Sequence, residues 1–278
     1  TATAGSINDA ADDSTVDFTA GGLITLTAQD EIGVLGSGTD TDLEFAASSS
    51  VNVSTTGTGA IDLDGLGALT LSDVDTANGA ITVTSAGALT VTDVASGTNG
   101  NISLTTSSGD ITGLATVNAG SGAVTLNAAG AIVDDSDAST VVTGGVLTAD
   151  AAGAITIDST VTSADISTSA VGAIALDETD GITLTDLDTA DGSITVVAGG
   201  LLTATDVVAG GGTGDSVTLS TTTGGAVATL VTGADAVSIT ADAGDITIGA
   251  VTATAGTLGV TATAGSINDA ADDSTVDF

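Results

Sequence analysis

Apolar residues in this chain alternate with Thr or Ser in short runs, and the runs recur at a near-constant spacing. One series comprises Leu69-Thr70-Leu71, Leu89-Thr90-Val91, Ile111-Thr112-Gly113, Ile132-Val133-Asp134, Ile155-Thr156-Ile157, Ile182-Thr183-Leu184, Leu202-Thr203-Ala204, Val227-Ala228-Thr229 and Ile246-Thr247-Ile248. A second series interleaves with it: Ile81-Thr82-Val83, Ile102-Ser103-Leu104, Val124-Thr125-Leu126, Leu147-Thr148-Ala149, Ile194-Thr195-Val196, Val217-Thr218-Leu219 and Val237-Ser238-Ile239. A period of two sends the flanking apolar residues to one face and the central hydroxyl to the other, which describes a strand buried on one side. Val, Ile and Thr favour that state. Between the runs lie Ala77-Asn78-Gly79, Thr98-Asn99-Gly100 and Ala190-Asp191-Gly192, residue types that tolerate tight corners. No stretch carries a 3.6-residue pattern, and the dominant residues are poor helix formers. The pattern predicts an all-β chain.

The runs sit on longer repeats. Thr1 to Phe18 (TATAGSINDAADDSTVDF) recurs unchanged as Thr261 to Phe278, an offset of 260 residues. Residues 1–260 therefore read as one long repeat, and 261–278 as the start of the next. Inside it, Ala60 to Val83 and Ala173 to Val196 agree at about 14 of 24 positions with an offset of 113. The finest unit averages about 21 to 22 residues, so about 12 units fill one 260-residue repeat. Periods of this size indicate solenoids or arrays. Antiparallel sandwiches would show periods nearer 90 to 100 residues. The expected fold is a parallel β-helix, or β-solenoid, with two or three short strands per coil stacked on their counterparts in the next. Its core would be a column of Ile, Val, Leu and Ala. Ile61 and Ile174 are expected to begin an extra strand in three-strand coils.

The G-x-[IL]-T-[VL] strands with Asn-Gly or Asp-Gly corners, as in GALTVTDVASGTNGNISLTTSSGDI from Gly87 to Ile111, resemble the repeat regions of filamentous haemagglutinin-type adhesins. The resemblance covers nearly the whole chain. It implies a right-handed β-helix within a very large secreted surface protein. That family's secretion domain and receptor-binding regions have no counterpart here.

Composition narrows the chemistry. The 278 residues include 36 Asp plus Glu, no Lys, Arg, His, Pro, Cys, Met, Trp or Tyr, and three Phe. High charge with few aromatics suggests disorder, but the regular aliphatic pattern opposes it. Without Lys or Arg nothing can neutralise a phosphate backbone, so nucleic acid is not an expected partner. Without His, Cys or Lys there is no Ser-His or Cys-His nucleophile and no Schiff base. No apolar run is long enough for a membrane-spanning helix, so membrane insertion is not expected. No basic leader is visible, and the chain reads as an excerpt from a longer one.

The acids are the remaining candidates. With 32 acids per repeat and coils rising about 4.8 Å, the axis would carry one negative charge per roughly 1.8 Å, close to the line charge of duplex DNA. Cations are the first expected partners. Asp73 and Asp93 occupy the same place in successive units, as do Asp186 and Asp206, with Asp75 and Asp188 two residues further on. Like charges one coil apart repel by about 0.9 kcal/mol even in water, and Ca²⁺ would reverse that sign. Asp134, Asp135 and Asp137 form a denser cluster, with Asp40-Thr41-Asp42 and the span from Asp9 to Asp17 as further candidates. The competing reading is a set of solvated acids that keep the fibre soluble. Outward Thr rows, as at Thr82/Thr84 and Thr90/Thr92, suggest an ice-binding face, although exposed strand positions favour Thr in any case. A carboxylate pair such as Asp134/Asp135 can hydrolyse a glycoside, but a negative surface repels acidic sugars and no aromatic platform exists.

The expected function is a non-catalytic structural repeat of an extracellular or cell-surface fibre. Its expected partners are further copies of the repeat end to end, other fibres or cell-surface ligands. The alternatives are a subunit of a head-to-tail homopolymeric filament and a Ca²⁺- or ice-binding module.

Overall fold

A computed structural model describes residues 1–9, 13–33, 42–138 and 141–270. Among these the fold is all-β without a helix, and the strands pair in parallel. It is a β-solenoid. The chain divides into two compact units, Thr1–Gly145 and Val146–Phe278.

In the first unit, a column of short strands runs through Leu43–Phe45, Ile61–Gly65, Ile81–Ser85, Ile102–Thr106 and Ala123–Ala128. Its inward Ile7, Ile32, Ile61, Ile81, Ile102 and Val124 stack in register through six levels. A second column runs through Leu23–Ala28, Ser49–Thr55 and Leu69–Thr76, then continues as two shorter segments per coil, beginning with Leu89–Val91 and Asp93–Ala95. Here Leu69, Leu89, Ile111 and Ile132 stack, as do Val74 and Val94 with Val117. The register steps inside this column between Val51 and Asn52, and again between Thr112 and Leu114. The first slip bends the long strand so that both halves turn aliphatic side chains inward.

The second unit repeats the plan. Ile155, Ile174, Ile194, Val217, Val237 and Leu258 stack through six levels. The other column passes through Ile182–Asp191, Leu202–Ala204 with Val207–Ala209, Ala226–Gly233, Ile246–Ala253 and Ile267–Asp269. A register slip between Ala164 and Asp165 matches the one between Val51 and Asn52 in the first unit.

Three features follow from filling so narrow a bore. The inward positions are almost all aliphatic and fully buried, such as Leu71, Val83, Leu104 and Val196. Phe18 and Phe45 stack with ring centroids 5.3 Å apart. Inward Thr and Ser at strand ends give their hydroxyls to corner carbonyls three or four residues on: Thr106 to Gly109 (2.9 Å), Thr168 to Gly172 (3.0 Å), Thr221 to Gly224 (2.6 Å) and Ser96 to Gly100. A buried hydroxyl is thereby satisfied and the corner closed. At these corners glycines stack on glycines, and a Cβ on Gly100 would collide with the carbonyl oxygen of Gly79 in the preceding coil.

Two expectations need correction. Ile61 and Ile174 do not start extra strands; each lies in register with the regular column, opposite Ile81 and Ile194. In the run at Val227, the inward residues are Ala226 and Ala228, because the preceding Leu202 and Ala204 fix that register.

Candidate functional site

The parallel ladder turns sequence offsets into spatial columns. Asp73 and Asp93 precede the paired Val74 and Val94, so they occupy adjacent positions in successive coils. Asp73 also faces Asn52 in the coil before, and Asn52 Nδ2 donates to Asp73 Oδ2 at 2.9 Å. Shifted by 113 residues, the same geometry recurs with one change. Asp165 faces Asp186, and Asp206 follows one coil later, its carbonyl accepting from Leu187 N at 3.0 Å. The second column therefore has a carboxylate where the first has an amide donor.

The flanking acids complete two patches. Asp75 faces Ser54, and Asp188 faces Ser167. Partial burial, a hydrogen bond to Asp73 and the charges of Asp73 and Asp93 push the Asp75 carboxyl up to about 6. Burial first and Asp73 second raise Asp93. Burial, then Asp186 and Asp206, raise Asp188; burial, then Asp186 and Asp150, raise Asp165. Each acid loses solvent and gains anionic neighbours with no cation to offset them. Asp206 Oδ1 is buried and meets no hydrogen-bond donor among the described residues. Asp62 is pushed up to about 6 by burial and by Asp42 and Asp64.

The cluster at Asp134 is built differently. Asp134 Oδ2 accepts from Ser136 N at 3.0 Å, and Asp135 Oδ1 accepts from Asp137 N at 2.9 Å. Both carboxylates close local turns around the left-handed Ser136, and Asp134 lies at the end of an inward-facing strand. Asp40 and Asp12, from the other two nominated clusters, lie outside the described residues.

Two further acidic features emerge from the fold. Asp9, Asp17 and Glu44 bring carboxylate oxygens within 4.8 Å of one another, and Asp17 also accepts from Glu44 N at 3.1 Å. Glu44 is 27 residues or more from its partners in sequence, so no local motif marks it. Glu178 stands in the core column between Ser159 and Ala198 and is 1% exposed. It accepts from Ser159 Oγ at 2.6 Å and Val161 N at 3.1 Å. Burial nevertheless dominates and pushes its carboxyl up to about 7.

Outside the acids, the outer face carries hydroxyl files. Thr82, Ser103 and Thr125 align in one file, and Thr195, Thr218 and Ser238 in another. An open groove in the second unit is lined by Thr162, Ile182, Thr183, Leu201 and Thr203. No protein family, curated protein or solved structure matches the chain.

Proposed function

We propose that this chain is a structural repeat segment of an extracellular or cell-surface fibre, the stalk of a giant adhesin-like protein, without catalytic activity. The observation that carries the reading is the repetition itself. Coil follows coil in one parallel register, and a segment of 18 residues returns unchanged after 260. In such architectures each repeat contacts its neighbours, and length grows with repeat number. The resemblance to adhesin repeats supports the same role, and a surface without Lys or Arg gives trypsin-like proteases no cleavage site. Electron microscopy of chains with one, two and four repeats tests the fibre: rods should lengthen by about 57 Å per repeat, at roughly 4.8 Å per coil. Particles whose length does not grow with repeat number would refute it. Antibody labelling of intact source cells tests location, and labelling only after permeabilisation would remove the surface role.

A second reading, Ca²⁺ binding on the acidic columns, is favoured by the unmet Asp206 Oδ1 beside Asp186 and Asp165. Ca²⁺ takes oxygen ligands from carboxylates and carbonyls and would relieve their repulsion. Saturating Ca²⁺ at about 100 times Kd would add about 2.7 kcal/mol of stability, reversible by chelator. No shift in melting temperature between Ca²⁺ and chelator would sink this reading.

A further inference from the structure

The duplicated segment is seen twice in two different environments. At its first occurrence its described residues bond toward the coil that follows. Ala2 N donates to Thr27 O at 2.7 Å and Gln29 N donates to Ala2 O at 3.1 Å. Ile7 N donates to Glu31 O at 2.9 Å, Gly33 N donates to Ile7 O at 2.9 Å, and Asp30 N donates to Gly5 O at 3.2 Å. At its second occurrence the same sequence is bonded toward the coil that precedes it. Thr263 N donates to Ala241 O at 2.8 Å, Ile246 N donates to Ser266 O at 2.8 Å, and Ala270 N donates to Ile248 O at 2.8 Å. The strands align as Ala241 with Ala262 and Ile246 with Ile267.

The two sets of bonds use different backbone groups. Over its first nine residues the segment uses, toward the following coil, the N–H and C=O of its second and seventh residues, with the fifth carbonyl. Toward the preceding coil it uses the third and tenth N–H and the sixth carbonyl. None of these donors or acceptors is claimed twice. In a parallel ladder alternate residues point to opposite neighbours, so the two half-sets make up one interior coil with both edges bonded.

We infer that this segment is a coil shared between consecutive repeats, and that the outer edge of Leu258–Asp269 docks the Leu23 to Gly33 stretch of a second copy. The register is Ala241 to Ala262 to the second copy's Ala28, and Ile246 to Ile267 to the second copy's Ile32, since Ala2 and Ile7 already pair with Ala28 and Ile32. The next coil would also cover Ile267, which is 47% exposed, as Ile246 is covered one coil earlier. The inference rests on the fibre reading and sharpens it. Repeats would join without a linker, as a continuation of the ladder.

The test is a two-repeat chain, residues 1–278 followed directly by residues 19–260, compared with the 278-residue chain by hydrogen exchange and mass spectrometry. In the longer chain the peptide from Val251 to Asp269 occurs once. The amides of Ala262 and Ile267 are expected to exchange on the order of 100-fold more slowly there, as strand amides do when their neighbour is in place. The chain has no Cys, so a second readout pairs Thr263→Cys with Gln29→Cys in the second repeat. Their disulfide should form much faster than that of Thr263→Cys with the second repeat's Gly22→Cys. Unchanged exchange at Ala262 and Ile267, with Val237–Ala241 still protected, would overturn the shared coil, as would equal cross-linking of both pairs. Either result leaves a fibre of linked beads possible, whereas a formed junction in a protein absent from the cell surface would remove the fibre role alone.

Discussion

Replacing Glu178 with Gln should stabilise the protein, and by an amount that depends on pH. The side chain lies in an aliphatic column, and its ionised form is disfavoured chiefly by desolvation, despite the bonds from Ser159 and Val161. In the folded chain its carboxyl titrates near 7, against an ordinary value of 4.5. Between those values the folded state holds a proton that the unfolded chain has released. Stability from this group is therefore fully present below pH 4.5, declines as pH rises and is gone above about 7. A difference of about 2.5 units at about 1.4 kcal/mol per unit amounts to about 3 kcal/mol, an upper figure. Gln has a similar shape, keeps an acceptor for Val161 N and offers an amide donor to Ser159 Oγ, which can also accept. Urea denaturation of both proteins from pH 4 to 8 reads the difference directly. Glu178→Gln should be near neutral at pH 4 and about 2 to 3 kcal/mol more stable at pH 8. A difference that does not change with pH would refute the buried-charge argument, as would a loss of stability at pH 8.

Other perturbations probe the corners and the acid columns. Gly100→Ala should lower stability by about 2 kcal/mol or more, because its Cβ meets the Gly79 carbonyl, whereas Gly212→Ala, with open space around it, should change thermal unfolding little. Thr106→Val removes a hydroxyl that donates to Gly109 O and accepts from Ala129 N, while that carbonyl keeps its bond from Gly130 N; chemical denaturation should show a loss of about 1 kcal/mol. Asp165→Asn installs in the second column the amide that Asn52 supplies in the first. It should add about 0.5 kcal/mol at pH 7, after screening by solvent, and the gain should shrink in 1 M NaCl.

The strands and their inward faces were legible because one physical rule, alternation about a buried face, acts on three to five adjacent residues. The coil followed from the spacing of those runs, and Asp73 over Asp93 followed from the coil. Register slips were not legible. At Val51/Asn52 and Ala164/Asp165 one residue bulges, and nothing local marks the place. The run at Val227 failed for a related reason: Ala226 and Ala228 are small enough to face inward, and only their partners reveal it. Alternation from Ile174 and Leu176 does place Glu178 inward, but its polarity argued for solvent. The Thr-x-x-Gly spacing at Thr106, Thr189 and Thr221 was also present to be read, as a hydroxyl capping its own corner. Glu44 beside Asp9 and Asp17 depends on one coil pairing with the next, as Phe18 does with Phe45, which no short-range pattern encodes.

Each coil stores far more chain than it spans. Between Ile61 and its partner Ile81 lie 20 residues of contour, about 68 Å if drawn straight, yet they advance the axis by only about 4.8 Å. Under tension from its ends, such a structure sheds its terminal coil by opening one row of ladder bonds, then the next. Every release lengthens the tether by roughly 60 Å while the coils behind remain folded. A stalk of this kind would act as a reel of spare length, yielding stepwise to a pull that would snap a rigid rod and rewinding when the load is removed.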